Sequence, residues 1–161
     1  MSFDVSWLWH TGSGSSGGDY AGTDEDVRHH YYKDGQWVAG YRSPGEGDRF
    51  ESNTYTEGTF YGAAYDLRQA DQIKITITNN GTHNPNWYPE YVFFQVGDDI
   101  LGAWAATIRT WIRHDEWTQY ALYDAYDFVN ASEELKEMVA KLSGLRGKTN
   151  TEIEDSPADL Q

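Results

Sequence analysis

Phe3, Val5, Trp7 and Trp9 alternate with Asp4, Ser6 and Leu8, a mostly period-two pattern that predicts a first strand. A loop dense in Gly and Ser, Thr11 to Gly18, closes it. Strand character resumes over Val27 to Tyr32, and Asp34-Gly35 is a hairpin signal leading into Trp37 and Val38. Pro44, Gly45 and Gly47 mark a turn, and Thr54 to Ala64 reads as one or two strands. The clearest alternation lies in Gln72 to Thr78, where Ile73, Ile75 and Ile77 share one face and Lys74, Thr76 and Thr78 the other. Asn79-Asn80-Gly81 breaks it, and Tyr91 to Val96 is a further strand. Seven or so strands at this spacing predict an all-β fold, an antiparallel β-sandwich or barrel.

Past Asp98 the pattern changes. Ile100, Trp104, Ile108, Trp111 and Ile112 fall at helical spacing, although Thr107 to Ile112 also fits a strand. Ser132 followed by Glu133 and Glu134 reads as an N-cap, with Leu135, Met138, Val139 and Leu142 as the apolar face and Gly144 as the stop. The chain therefore divides into a sandwich over residues 1–98, a short, partly helical C-terminal extension over 99–147 that packs on or extends it, and a polar tail over 148–161 expected to be disordered.

Composition sharpens this. The 161 residues include twelve Tyr and seven Trp, rigid aromatics that suit pleated, half-buried surfaces. A formal net charge of -14 repels phosphate backbones, which argues against a nucleic-acid partner and against direct attraction to an anionic membrane unless bound cations invert the local field. With no cysteine there is neither a disulfide framework nor a thiolate metal site. No stretch is long enough to be transmembrane and no signal peptide is visible, so the default expectation is a soluble, cytoplasmic protein, with release by a route lacking a signal peptide left open. The oligomeric state is not legible.

The densest chemistry lies in Gly17 to Asp26, where Asp19, Asp24, Glu25 and Asp26 place four carboxylates within eight residues of a glycine-rich loop. Crowded carboxylates repel unless water or a cation screens them, and calcium takes six to eight oxygens from carboxylates and carbonyls. His29 and His30, adjacent on a strand, point to opposite faces and cannot chelate together. Trp7, Trp9 and Trp87 read as core anchors. No nucleophile elbow, phosphate loop or metal-spaced His motif is present, so the chain reads as non-catalytic.

Three segments in order resemble the PLAT family, the polycystin, lipoxygenase and alpha-toxin (lipoxygenase-homology) module. They are Thr11-Gly12 with Ala21-Gly22-Thr23-Asp24 and Val27; Asp48-Arg49-Phe50-Glu51 through Thr59-Phe60; and Leu67, Ile73 to Ile77, Asn80-Gly81 and Asn84-Pro85-Asn86-Trp87. The likeness spans roughly Ser6 to Gly97 and implies a PLAT-like sandwich that attaches to lipid headgroups or a protein partner. It implies calcium as the cofactor, with Asp19, the Gly22 carbonyl and Asp24 as ligands, Asn84 or Asn86 completing the shell, and Glu46 and Asp48 at a second site. Tyr20 adds a residue between Asp19 and the Ala-Gly pair, and the loop Thr82 to Trp87 offers Asn without a carboxylate, both departures from a strong site. Tyr20, Trp37 and Tyr88 are the candidate loop-tip aromatics. A carbohydrate-binding module with Tyr31, Tyr32, Trp37 and Tyr41 as its platform is the alternative, and an assembly protein using apolar helices over Ile100 to Leu142 is a third reading.

Overall fold

The computed structural model describes residues 2–12, 15–16, 19–20, 22–23, 25–45, 50, 53–78, 86–96, 99–124 and 151–154. Among these described residues, twelve strands are arranged in two five-stranded antiparallel sheets and one small hairpin. They are β1 (Phe3–Thr11), β2 (Ser15–Ser16), β3 (Asp19–Tyr20), β4 (Asp26–Lys33), β5 (Gln36–Ser43), β6 (Tyr55–Ala63), β7 (Gln72–Thr78), β8 (Pro89–Val96), β9 (Asp99–Thr107), β10 (Thr118–Ala121), β11 (Tyr123–Asp124) and β12 (Glu152–Glu154). One sheet has the order β11-β9-β8-β1-β6, the other β10-β7-β4-β5-β12, and β2 pairs with β3. The sandwich expected from the alternation is therefore present.

The period-two faces meet between the sheets. Val5, Trp7 and Trp9 of β1 and Ile73, Ile75 and Ile77 of β7 are all fully buried in one apolar core. Trp7 packs at 4.8 Å from Tyr41 of β5 and Tyr31 of β4 meets Phe94 of β8 edge-on at 5.6 Å, so rings of the two sheets interlock. His29 and His30 do point to opposite faces, His29 into this core and His30 outward. The β4–β5 hairpin turns through Asp34 and Gly35, both at positive φ (51° and 79°), the geometry of a type I′ turn.

The region past residue 98 is where the sequence expectation fails. Residues 99–124 form strands that extend both sheets: β9 pairs with β8, β11 with β9, and β10 with β7. A helical extension is absent among the described residues. The reason lies in the spacing. Positions 100, 104, 108 and 112 are four apart, which satisfies a helical stripe and equally every second position of an extended chain. The helix expected from Ser132 lies outside the described residues.

Residues 148–161 read as a disordered tail, yet Glu152–Glu154 form β12 against β5, and Thr151 is buried. Their polar composition hid this, because the strand is held by charge pairs rather than by an apolar face.

Candidate functional site

The strand directions gather the candidate loops. β1, β5, β7 and β9 finish, and β4, β6 and β8 begin, at one end of the sandwich. The described loop residues 12, 22–23, 25, 44–45, 50, 53–54, 86–88 and 108–117 therefore lie at that end. Backbone hydrogen bonds tie them together. Gly12 N–H donates to the Tyr88 carbonyl at 2.8 Å and Asn53 N–H to the Gly12 carbonyl at 2.9 Å. Trp87 and Ile112 exchange N–H···O bonds of 2.9 and 2.7 Å.

Phe50 anchors the acidic loops to each other. Its backbone sits at φ 57°, an uncommon conformation for a bulky residue, and its ring is fully buried between Trp9 (6.3 Å) and Trp87 (5.2 Å). Its N–H donates to Thr56 Oγ1 at 2.8 Å, and its carbonyl accepts from Thr23 N–H at 3.0 Å. The packing over-determines this conformation, and the left-handed backbone aims the Phe50 carbonyl at Thr23. Gly22 and Thr23 are buried beside it. The Gly22–Thr23 backbone is thus fastened to Phe50, which follows Asp48 in the sequence.

Glu25 is the best-defined carboxylate of this end. Its side chain is 1% exposed, and Oε1 accepts from His114 Nδ1 at 2.6 Å, while His114 Nε2 lies 2.8 Å from Asp115 Oδ2. Asp115 Oδ1 in turn accepts from Thr78 Oγ1 at 2.8 Å, and Asp115 N–H donates to the Ile77 carbonyl. A histidine held between two carboxylates thus joins the acidic loop to the end of β7. Asp26 faces the second acidic segment, where Oδ1 accepts from Gly45 N–H at 3.0 Å.

The expected ligands fare unequally. Asp19 and Tyr20 lie on β3, whose backbone pairs with Ser15–Ser16. Gly22 and Asn86 are at the convergent loop end, Asn86 next to the fixed Trp87. Asp24, Glu46, Asp48 and Asn84 lie outside the described residues. Among the described residues no group of three or more His, Asp or Glu is arranged to hold a metal ion. The expected donors are all oxygens (a glycine carbonyl, aspartate and glutamate carboxylates, asparagine amides), which is the set calcium takes and softer metals do not favour.

The three aromatics do not form one surface. Tyr88 sits at the loop end, where its ring meets Trp111 at 5.3 Å. Trp37 opens β5 beside the Asp34-Gly35 turn, at the opposite end, and packs against His30 on the outer face of its sheet. An irregularity in the β4–β5 register between Tyr31 and Tyr32 places it there. The sugar platform also dissolves, since Tyr31 and Tyr41 are buried in the core between the sheets. Sequence reasoning missed Trp111, His114 and Asp115, because the segment was read as the start of a helical extension. Glu25 was seen only as one of four crowded acids.

No family model matches the sequence, and no curated protein matches it either. Solved structures do. A lipoxygenase carrying a Delta413-417:GS replacement superposes with a TM-score of 0.57 at 14% identity, over 76% of this chain and 16% of that one. The alpha toxin of Clostridium absonum gives 0.51 at 20% identity, over 74% of this chain and 31% of that one. Clostridium perfringens alpha-toxin from an avian strain gives 0.52 at 18%, over 76% and 32%. The chain thus spans about a sixth to a third of the proteins it resembles. The shared fold supports a PLAT-like sandwich, the architecture that the three sequence segments imply.

Proposed function

We propose that this chain is a non-catalytic, PLAT-like attachment module whose loop end docks on a lipid surface with calcium bound among its acidic loops. The observation that carries this reading is the Thr23–Phe50 hydrogen bond, which fastens the Gly22–Thr23 backbone to Phe50, a residue that follows Asp48 in the sequence. Gly22 and Asn86, expected donors from two separate segments, both lie at that end. Asp19, Gly22, Asp24 and Asn84 or Asn86 would hold one ion, and Glu46 and Asp48 a second. Calcium would reverse the sign of the local field and attract phosphate headgroups. The half-buried Tyr88–Trp111 pair supplies an amphipathic aromatic contact of the kind found at membrane–water interfaces. Among the described residues no helix is long and apolar enough to cross a membrane.

A thermal unfolding series tests the metal half of this proposal. A ligand bound only to the folded state stabilises it by about 2.7 kcal/mol at a hundred times its dissociation constant. Calcium is expected to raise the midpoint over chelator, and Asp24→Ala is expected to abolish the rise. The same midpoint in calcium, magnesium and chelator would remove calcium from the account and leave the fold intact.

A further inference from the structure

β12 lies at the edge of its sheet, against β5. Those contacts have the chemistry of ligand recognition. The backbone pairs antiparallel with β5, Glu152 opposite Arg42, Ile153 opposite Tyr41 and Glu154 opposite Gly40. Glu154 takes a two-pronged hydrogen bond from Arg28, Nε to Oε1 at 2.8 Å and Nη2 to Oε2 at 3.1 Å, and its Oε2 also meets His30 Nε2. Arg42 grips Glu152 through Nε and Nη2. The Arg28 guanidinium lies over the Trp117 ring at 5.3 Å and His30 packs against that ring at 4.6 Å, so an aromatic ring as well as the carboxylate braces the cationic side. Gly40 leaves room for the strand, since a Cβ there would stand 3.3 Å from Glu154 Cβ.

Two further observations distinguish a recognition edge from a simple terminal strand. The chain has 12 Lys and Arg against 26 Asp and Glu, yet Arg28 and Arg42 both serve this one three-residue segment. Moreover, among the described residues β12 pairs with Gly40, Tyr41 and Arg42 of β5, and a hollow lined by Trp37, Val38, Tyr65 and Ile153 lies alongside them. Ile153, at 47% exposure, fills that hollow incompletely.

We propose that the β5 edge is a binding site for an extended acidic peptide of a partner protein, with carboxylates two residues apart, and that residues 151–154 are its tethered occupant. Backbone pairing supplies affinity independent of sequence, and the Arg28–His30–Trp117 and Arg42 grips supply the preference for Glu-x-Glu. A partner must displace the tether, which acts at high effective concentration, so the free site is rationed. This inference is independent of the loop end.

The test uses the full chain and a fluorescent peptide spanning Lys148 to Ser156. In chains carrying Glu152→Gln and Glu154→Gln together, the peptide is expected to bind about tenfold or more tightly than in the unaltered chain. Adding Arg28→Gln to that variant should weaken binding by about tenfold, as should a peptide with Gln at both Glu positions. Equal affinity of the Glu and Gln peptides, or no binding to the doubly substituted chain, would overturn the proposal. Should that variant not fold, amide exchange on the unaltered chain decides: excess Glu peptide should accelerate exchange at residues 151–154, and no acceleration would refute it. Concentration-dependent self-association of the unaltered chain would assign the edge to another copy's tail and overturn the partner assignment.

Discussion

His29 is the residue whose chemistry the fold constrains most. Trp7 Nε1, which can only donate, gives its hydrogen to the Tyr31 hydroxyl at 2.7 Å, and that hydroxyl lies 2.8 Å from His29 Nδ1. His29 Nε2 lies 3.1 Å from Ser43 Oγ, with Thr151 Oγ1 3.4 Å beyond, so both imidazole nitrogens have a hydrogen-bond partner. Complete burial lowers the imidazole from 6.5 to about 3, reinforced by His30 and opposed by Glu154. The unfolded chain takes up a proton at His29 below about pH 6.5 and the folded chain does not. Stability is therefore complete above that pH and falls on acidification towards pH 3, by up to about 1.4 kcal/mol per pH unit from this group. We predict that the His29 ring proton resonances do not titrate between pH 8 and 4. In His29→Gln, unfolding should show a shallower loss of stability between pH 6 and 5 than in the unaltered chain. Glu154 adds to the loss at lower pH. Burial raises its carboxyl, but the hydrogen bonds from His30 and Arg28 prevail and hold it at about 2, so its contribution fades below pH 4.5.

Among the elements, the β4–β5 hairpin shows the sequence at its most explicit. Asp34-Gly35 specifies a turn whose handedness matches the twist of the flanking strands, and Gly35 at φ 79° has no steric cost there. Gly35→Ala introduces a Cβ into open space but into a left-handed backbone, and is predicted to cost about 1 kcal/mol, read as a lowered midpoint in denaturant unfolding. β1, β4, β7 and β8 were equally legible, because each buries one face between the sheets and is bounded by Gly, Pro or Asn. β9 was not, because isoleucines and a tryptophan four apart fit two periods at once. β12 was invisible to an apolar pattern, since Arg28 and Arg42, more than a hundred positions away in sequence, select it by charge. The candidate site was legible as composition, in the acidic Gly-rich loop, but not as geometry. Only the fold shows that Phe50 fastens that loop to its neighbour, or that Trp37 belongs to the other end.

At the scale of the whole molecule, the two ends and the two faces have separate characters. One end collects the acidic loops, Glu25 with His114, and the Tyr88–Trp111 pair. The outer face of the β4–β5 sheet concentrates Arg28 and Arg42 beneath an acidic strand. An overall charge of -14 makes unaided approach to an anionic bilayer unfavourable, so the attachment proposed for the loop end would require a bound cation. The most direct measurement is co-sedimentation of the full chain with phosphatidylserine-containing vesicles, in calcium and in chelator, alongside a Tyr88→Ala, Trp111→Ala double variant. The account predicts binding in calcium that falls to background in chelator and weakens severalfold in the double variant. Binding of equal strength in both conditions, or none in either, would contradict it.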